Sequence, residues 1–234
     1  MRRLAIILGL MIMVPLVFWG GLQNHDGRTL SRKSLELIEL LGTAYEKLPE
    51  DLKKEEDHRW AICRVLLARH EVDLLLNSWR TSKDPVVRRC LVEMVLYQID
   101  DSQITKAFRS RLSDTEDDEA FYIASYLAKL GDSAALAVLN NHFYQYGISS
   151  LEWSYSMALF GKFGYRPAIP HLVEALNSAS MNVIDASFDS LSQLYPDAPT
   201  HFDSLSEAQT YFANRMKAEF GDIDLIPVKS TVSL

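Results

Sequence analysis

"MALFGKFGYRPAIPHLVEAL", residues 157–176, decides the fold, because two glycines and two prolines interrupt what would otherwise be one long amphipathic helix. Before Gly164, Leu151, Tyr155, Leu159 and Phe163 recur at helical spacing. After it, Ile169, Leu172, Val173 and Leu176 fall at i, i+3, i+4 and i+7, a single apolar stripe on a new helix. Gly164 suits the left-handed position just past a helix, and Pro167 suits the first turn of the next, where its missing N–H loses nothing. The stretch therefore reads as a tight turn between two helices.

The same punctuation returns in "LYQIDDSQI" at 96–104, "YLAKLGDSAAL" at 126–136 and "LSQLYPDAP" at 191–199. The last apolar residues before these turns, Leu67, Ile99, Leu130, Phe163 and Tyr195, are separated by 32, 31, 33 and 32 residues. Four residues earlier in each case stand Cys63, Val95, Tyr126, Leu159 and Leu191, a second apolar column. A fixed period of this length is the signature of stacked helix pairs. First helices carry the stripes Leu37, Leu40, Leu41 and Ala44; Val72, Leu75, Leu76 and Trp79; Ile104, Ala107 and Phe108; Leu136, Leu139 and Phe143; and Ile169 to Leu176. Second helices are expected over about 54–68, 85–99, 117–130, 150–163 and 181–195.

"SKDPVVRRCLVEMVLYQ" and "AKLGDSAALAVL" resemble HEAT repeats, in particular the short bacterial type also found in phycobilin lyases, over about residues 35–196. The resemblance implies an all-α chain, an α-solenoid of about five helix pairs whose second helices line a concave face. A further helix is expected from Ser204, with Glu207 completing a capping box and Leu205, Ala208, Phe212 and Met216 forming its stripe, as the cap a solenoid needs on its open end. The domain plan is a hydrophobic segment over 1–22, a linker over 23–34, the helical array over 35–221 and an extended tail over 222–234.

Arg2 and Arg3 precede an uncharged run from Leu4 to Leu22, about as long as a bilayer core requires. Phe18 and Trp19 lie before Gly20 and Gly21, so no cleavage site with paired small residues is offered, and an uncleaved membrane anchor is favoured over a signal peptide. The expectation is a single-pass protein held in the membrane by residues 4–22 with its repeats outside the cytoplasm; the alternative is a secreted or periplasmic domain released by cleavage. Without Arg2 and Arg3, 22 basic side chains face 31 acidic ones, a formal charge of −9 that repels phosphate backbones, so nucleic acid is not an expected partner.

Little in the chain carries chemistry. Cys63 and Cys90 are too few for a disulfide framework and read as two small core residues, with a single bridge open in an oxidising compartment. The six histidines show no metal-binding spacing, and His171 beside an apolar stripe reads as packing or solvated. "SDTEDDE" at 113–119 lacks the spacing of a calcium loop and is explained by acids at a helix N-terminus. No nucleophile, phosphate-loop or dinucleotide motif occurs, and no catalytic residue, metal or cofactor is predicted.

Aromatic residues crowd 143–165, with Phe143, Phe160 and Phe163 expected in the core. Tyr122 and Tyr155 take the same place in neighbouring second helices and, with Tyr126, are predicted to form a small platform on the concave face that binds a partner. The expected function is a non-enzymatic, membrane-tethered or exported scaffold that holds a protein or peptide. The alternatives are a lyase-like or chromophore-handling protein, which the resemblance suggests, and a purely structural spacer in the envelope.

Overall fold

A computed structural model describes residues 32–53, 57–113, 118–145 and 150–222, together with all their side chains except those of 118, 143–145 and 150–153. Among these residues the chain forms twelve α-helices and no strand. The hydrophobic segment 4–22, most of the linker and the tail from 223 lie outside the described residues, and no described helix is long and apolar enough to cross a membrane. The chain divides into two compact units between Ile99 and Asp100, whereas the sequence suggested one array over 35–221.

The first unit contains α1 (Ser34–Leu41), α2 (Glu50–Lys53), α3 (His58–Arg69), α4 (Val72–Thr81) and α5 (Pro85–Cys90). Helix α1 stops at Gly42, so Ala44, expected on its stripe, instead precedes a 3₁₀ turn over Tyr45–Lys47. Arg32 makes a two-pronged bond to Asp51 at 2.8 and 2.9 Å and so closes the inserted α1–α2 segment. Asp57 and Asp84 start α3 and α5 by accepting the Trp60 and Val86 amides. Helix α5 continues as a π-helical turn over Leu91–Val95, where the Leu96 N–H reaches back to the Leu91 carbonyl, and ends in a 3₁₀ turn at Leu96–Gln98. Helix α1 packs on α3, and both touch the α5 segment, which also packs on α4. Cys63 and Cys90 are both buried and free, and burial pushes each thiol up.

The second unit contains α6 (Ser102–Arg109), α7 (Asp118–Lys129), α8 (Ser133–Gln145), α9 (Ser150–Lys162), α10 (Ile169–Ala175), α11 (Met181–Leu194) and α12 (Leu205–Phe220). Helix α6 packs on α7, α8 on α7 and α9, and α10 on α11, so that each first helix meets its own second helix. The second helices also meet in order, α7 against α9 and α9 against α11. Helix α7 is enclosed on nearly every side: from Glu119 to Ala128 only Tyr122 is not buried. Apolar residues all round a helix are what such a central position demands.

Two turns show why the pairs reverse so tightly. Gly131 and Gly164 take φ of +81° and +64°. In each case the glycine N–H bonds the carbonyl three residues back, and the next N–H bonds the carbonyl five back (Asp132 to Leu127 at 3.2 Å, Tyr165 to Phe160 at 2.9 Å). This double bond satisfies carbonyls that an ordinary helix end leaves open. Asp132 then caps α8 through the Ala134 amide at 3.0 Å, while a 3₁₀ turn carrying Pro167 leads into α10.

Helix α9 crosses α11 at very close range. A Cβ added to Gly161 would stand 2.8 Å from the Ser190 Cα, and the Ser190 hydroxyl donates to the Met157 carbonyl at 2.6 Å. Helix α12 covers α10 with Ala208, Phe212 and Met216 buried. Ser204 caps it as expected, by accepting the Glu207 N–H at 3.2 Å, but the Glu207 carboxylate accepts from Asp203 N–H rather than closing on the cap residue. Arg166 fastens its far end, pairing through both guanidinium arms with Glu219, donating to the Leu194 carbonyl at 2.9 Å, and lying over the Tyr195 ring.

Candidate functional site

The column Cys63, Val95, Tyr126, Leu159 and Leu191 is buried throughout, between 0 and 5% exposed. The later column is mixed: Ile99 and Tyr195 are buried, but Leu130 and Phe163 are 50% and 36% exposed. Phe163 is therefore not the core residue its spacing suggested. It follows the last turn of α9, and its ring lies against the turn that ends α7, with Cε1 at 3.1 Å from where a Cβ on Gly131 would stand. Phe160 is fully buried, while the Phe143 side chain lies outside the described residues.

The three predicted tyrosines separate into two kinds. Tyr126 is 2% exposed, meets Phe108 edge-on at 5.0 Å, and its hydroxyl sits 3.3 Å from Thr105 Oγ1 and 3.4 Å from the Asp101 carbonyl. It ties α7 to the start of α6, and a ring so enclosed offers a partner no surface. Tyr122 and Tyr155 are half-buried on α7 and α9. Tyr122 is held edge-on by Phe121 at 5.4 Å. Of the three, only Tyr122 and Tyr155, on second helices that touch, are accessible.

The same face carries a feature that the apolar columns hid. Aligned through Gly131 and Gly164, residues 119–131 (EAFYIASYLAKLG) and 152–164 (EWSYSMALFGKFG) place Glu, Tyr, Lys and Gly identically, with Leu130 and Phe163 just before the glycine. Tyr122 pairs with Tyr155 and Lys129 with Lys162. Seven residues span two helical turns, so each tyrosine and its lysine share one side of their helix, about 10 Å apart along the axis. Lys129 is half-buried with its ammonium 5.5 Å from the Tyr126 ring centre, and burial holds it below the usual lysine range against an opposing pull from Asp100. Lys162 is exposed, 5.0 Å from the Phe163 ring centre.

Elsewhere in the second unit, a buried polar pair serves packing. His171 is 3% exposed; its Nδ1 meets Asn140 Oδ1 at 2.8 Å, linking α8 to α10, and burial pulls the imidazole down to about 4, so it is neutral near pH 7. Two open depressions, one along α6 at Ser102, Thr105 and Lys106, the other along α12 at Phe202, Tyr211 and Asn214, contain neither predicted tyrosine. No three metal-ligating side chains converge among the described residues, and 114–117 of the acidic run lie outside them. Compared with protein-family models, curated proteins and solved structures, the chain finds no match.

Proposed function

We propose that the chain is an interaction scaffold, an α-solenoid of HEAT type that holds a protein or peptide partner on the concave face lined by its second helices, and that it is not an enzyme. The observation that supports this most directly is the accessible placement of Tyr122 and Tyr155 at matching points of α7 and α9, two helices in contact, each backed by a packed core. Half-buried aromatic side chains are rigid and bring large contact area with little loss of freedom on binding. Residues 4–22 are the proposed membrane tether, which places the scaffold outside the cytoplasm at the membrane surface.

The test is cross-linking of the full-length protein in its own cells, comparing the wild type with the Tyr122→Ala/Tyr155→Ala double variant. The account expects one or a few neighbours to disappear with the two rings while helical content stays the same. An unchanged set of neighbours points instead to a spacer with no docking face.

A further inference from the structure

From Pro167 to Asn214 the chain has no lysine or arginine, yet it has six acids: Glu174, Asp185, Asp189, Asp197, Asp203 and Glu207. The two arginines that border this stretch, Arg166 and Arg215, both turn to Tyr195, with their guanidinium carbons 5.1 and 5.0 Å from its ring centre. Each also pairs with an acid, Arg166 with Glu219 and Arg215 with Asp197 at 2.9 Å. Lys217, the remaining cation of α12, pairs with Asp222 at 2.7 Å. Asp203 and Glu207 therefore face no lysine or arginine. His201 lies 3.8 Å from Asp203, and the Glu207 carboxylate accepts the Asp203 N–H at 2.8 Å.

Glu207 lines the open groove along α12, about 530 Å³ in volume, with Phe202, Tyr211, Thr210 and Asn214. Phe202 and Tyr211 are half-buried, their ring centres 5.5 Å apart and their planes inclined at 56°. Phe188 meets Phe202 edge-on at 5.7 Å, and Phe212 meets Tyr211 edge-on at 5.2 Å, so the aromatic corner is held from behind. The groove thus repeats the composition of the Tyr195 site, an aromatic ring beside a carboxylate. At Tyr195 the chain's own arginines fill the site; among the described residues no cation lies over Phe202 or Tyr211. We propose that this groove docks an arginine-bearing segment of a partner protein, its guanidinium lying on Tyr211 and Phe202 and pairing with the Glu207 carboxylate. A ring face attracts a cation, and a planar guanidinium both stacks on the ring and offers two parallel N–H groups to a carboxylate, which an ammonium does not. The acids around the groove add a field that favours a basic segment over an acidic one.

The probe is a short, fluorescently labelled peptide, blocked at both ends, with one arginine in an apolar and otherwise uncharged sequence. Binding is measured by anisotropy at low salt and pH 8, where an ordinary histidine is neutral, against the full-length protein in detergent micelles. Matched peptides carry citrulline, the uncharged isostere of arginine, or lysine. The arginine peptide is expected to bind about tenfold more tightly than the citrulline one, and more tightly than the lysine one. Glu207→Gln keeps an acceptor for the Asp203 N–H and should remove most of that preference, and Tyr211→Leu should weaken the arginine peptide severalfold. Asp185→Asn, at an exposed position of α11, should leave the preference unchanged. Far-UV circular dichroism checks that each variant keeps its helical content. No binding, equal binding of the arginine and citrulline peptides, or an Asp185→Asn loss as large as that of Glu207→Gln overturns the proposal; a lysine peptide that binds as tightly as the arginine one overturns the guanidinium assignment. The Tyr122→Ala/Tyr155→Ala protein should bind the arginine peptide as the wild type does, so the groove and the concave face are tested apart.

Discussion

His171 sits where charge is least welcome, enclosed between α8 and α10 with one ring nitrogen on Asn140. Its folded-state value of about 4 lies below the ordinary 6.5, so the folded protein binds this proton less readily than the unfolded chain. The stabilisation is therefore complete above about pH 6.5, declines as pH falls toward 4, and amounts to at most about 3 kcal/mol. Urea unfolding at pH 7.5 and pH 4.5 should show His171→Leu losing less stability relative to wild type at the lower pH; a gap that does not change with pH contradicts the assignment. Tyr126 yields a second prediction. Tyr126→Phe should lose about 1 kcal/mol through its hydroxyl contacts with Thr105 and Asp101, and Tyr126→Ala about 3–5 kcal/mol through the cavity, whereas Tyr122→Ala should stay within about 1 kcal/mol. Both residues lie four apart on one helix, and periodicity alone put them on the same face. What separates them is α6, which covers Tyr126, and no pattern within α7 announces it.

At the scale of the helices, punctuation was readable and packing partners were not. Gly164 at a left-handed turn, the prolines after it and the cap at Ser204 follow from residue chemistry, and the observed second helices start and stop within a few residues of the expected spans. The exposure of Leu130 and Phe163 does not follow, because spacing along one helix gives a direction but not what lies in that direction. The Glu-Tyr-Lys-Gly echo in α7 and α9 is present in the letters but falls on positions outside the apolar columns. Gly161 shows the same boundary: in sequence it is one small residue in a helix, and in the fold it is where α9 meets the Ser190 backbone. Gly161→Ala should destabilise by about 1–3 kcal/mol although alanine favours helices, measured by denaturant unfolding. A stabilised Gly161→Ala protein would show that the crossing is looser than described. The far end of α12 is fastened differently, and Arg166→Ala should lower the melting temperature by a few degrees through loss of the Glu219 and Leu194 bonds.

For the whole molecule, the helical class followed from the 32-residue rhythm, while the division at Ile99 and Asp100 did not, since the apolar columns run through it without a change in spacing. The candidate site was legible only in part. The matched tyrosines suggested a surface that holds something, and burial of Tyr126 narrows that surface to Tyr122 and Tyr155. The central claim is that the partner of these tyrosines meets this one face and not the surface at large. The most direct measurement places a photo-activated cross-linking residue at position 155 or 162 in the full-length protein in its own cells, and at position 103 on α6 for comparison. The account predicts the same discrete adduct from 155 and 162 and none from 103; equal yields from all three positions, or adducts from 103 alone, would contradict it.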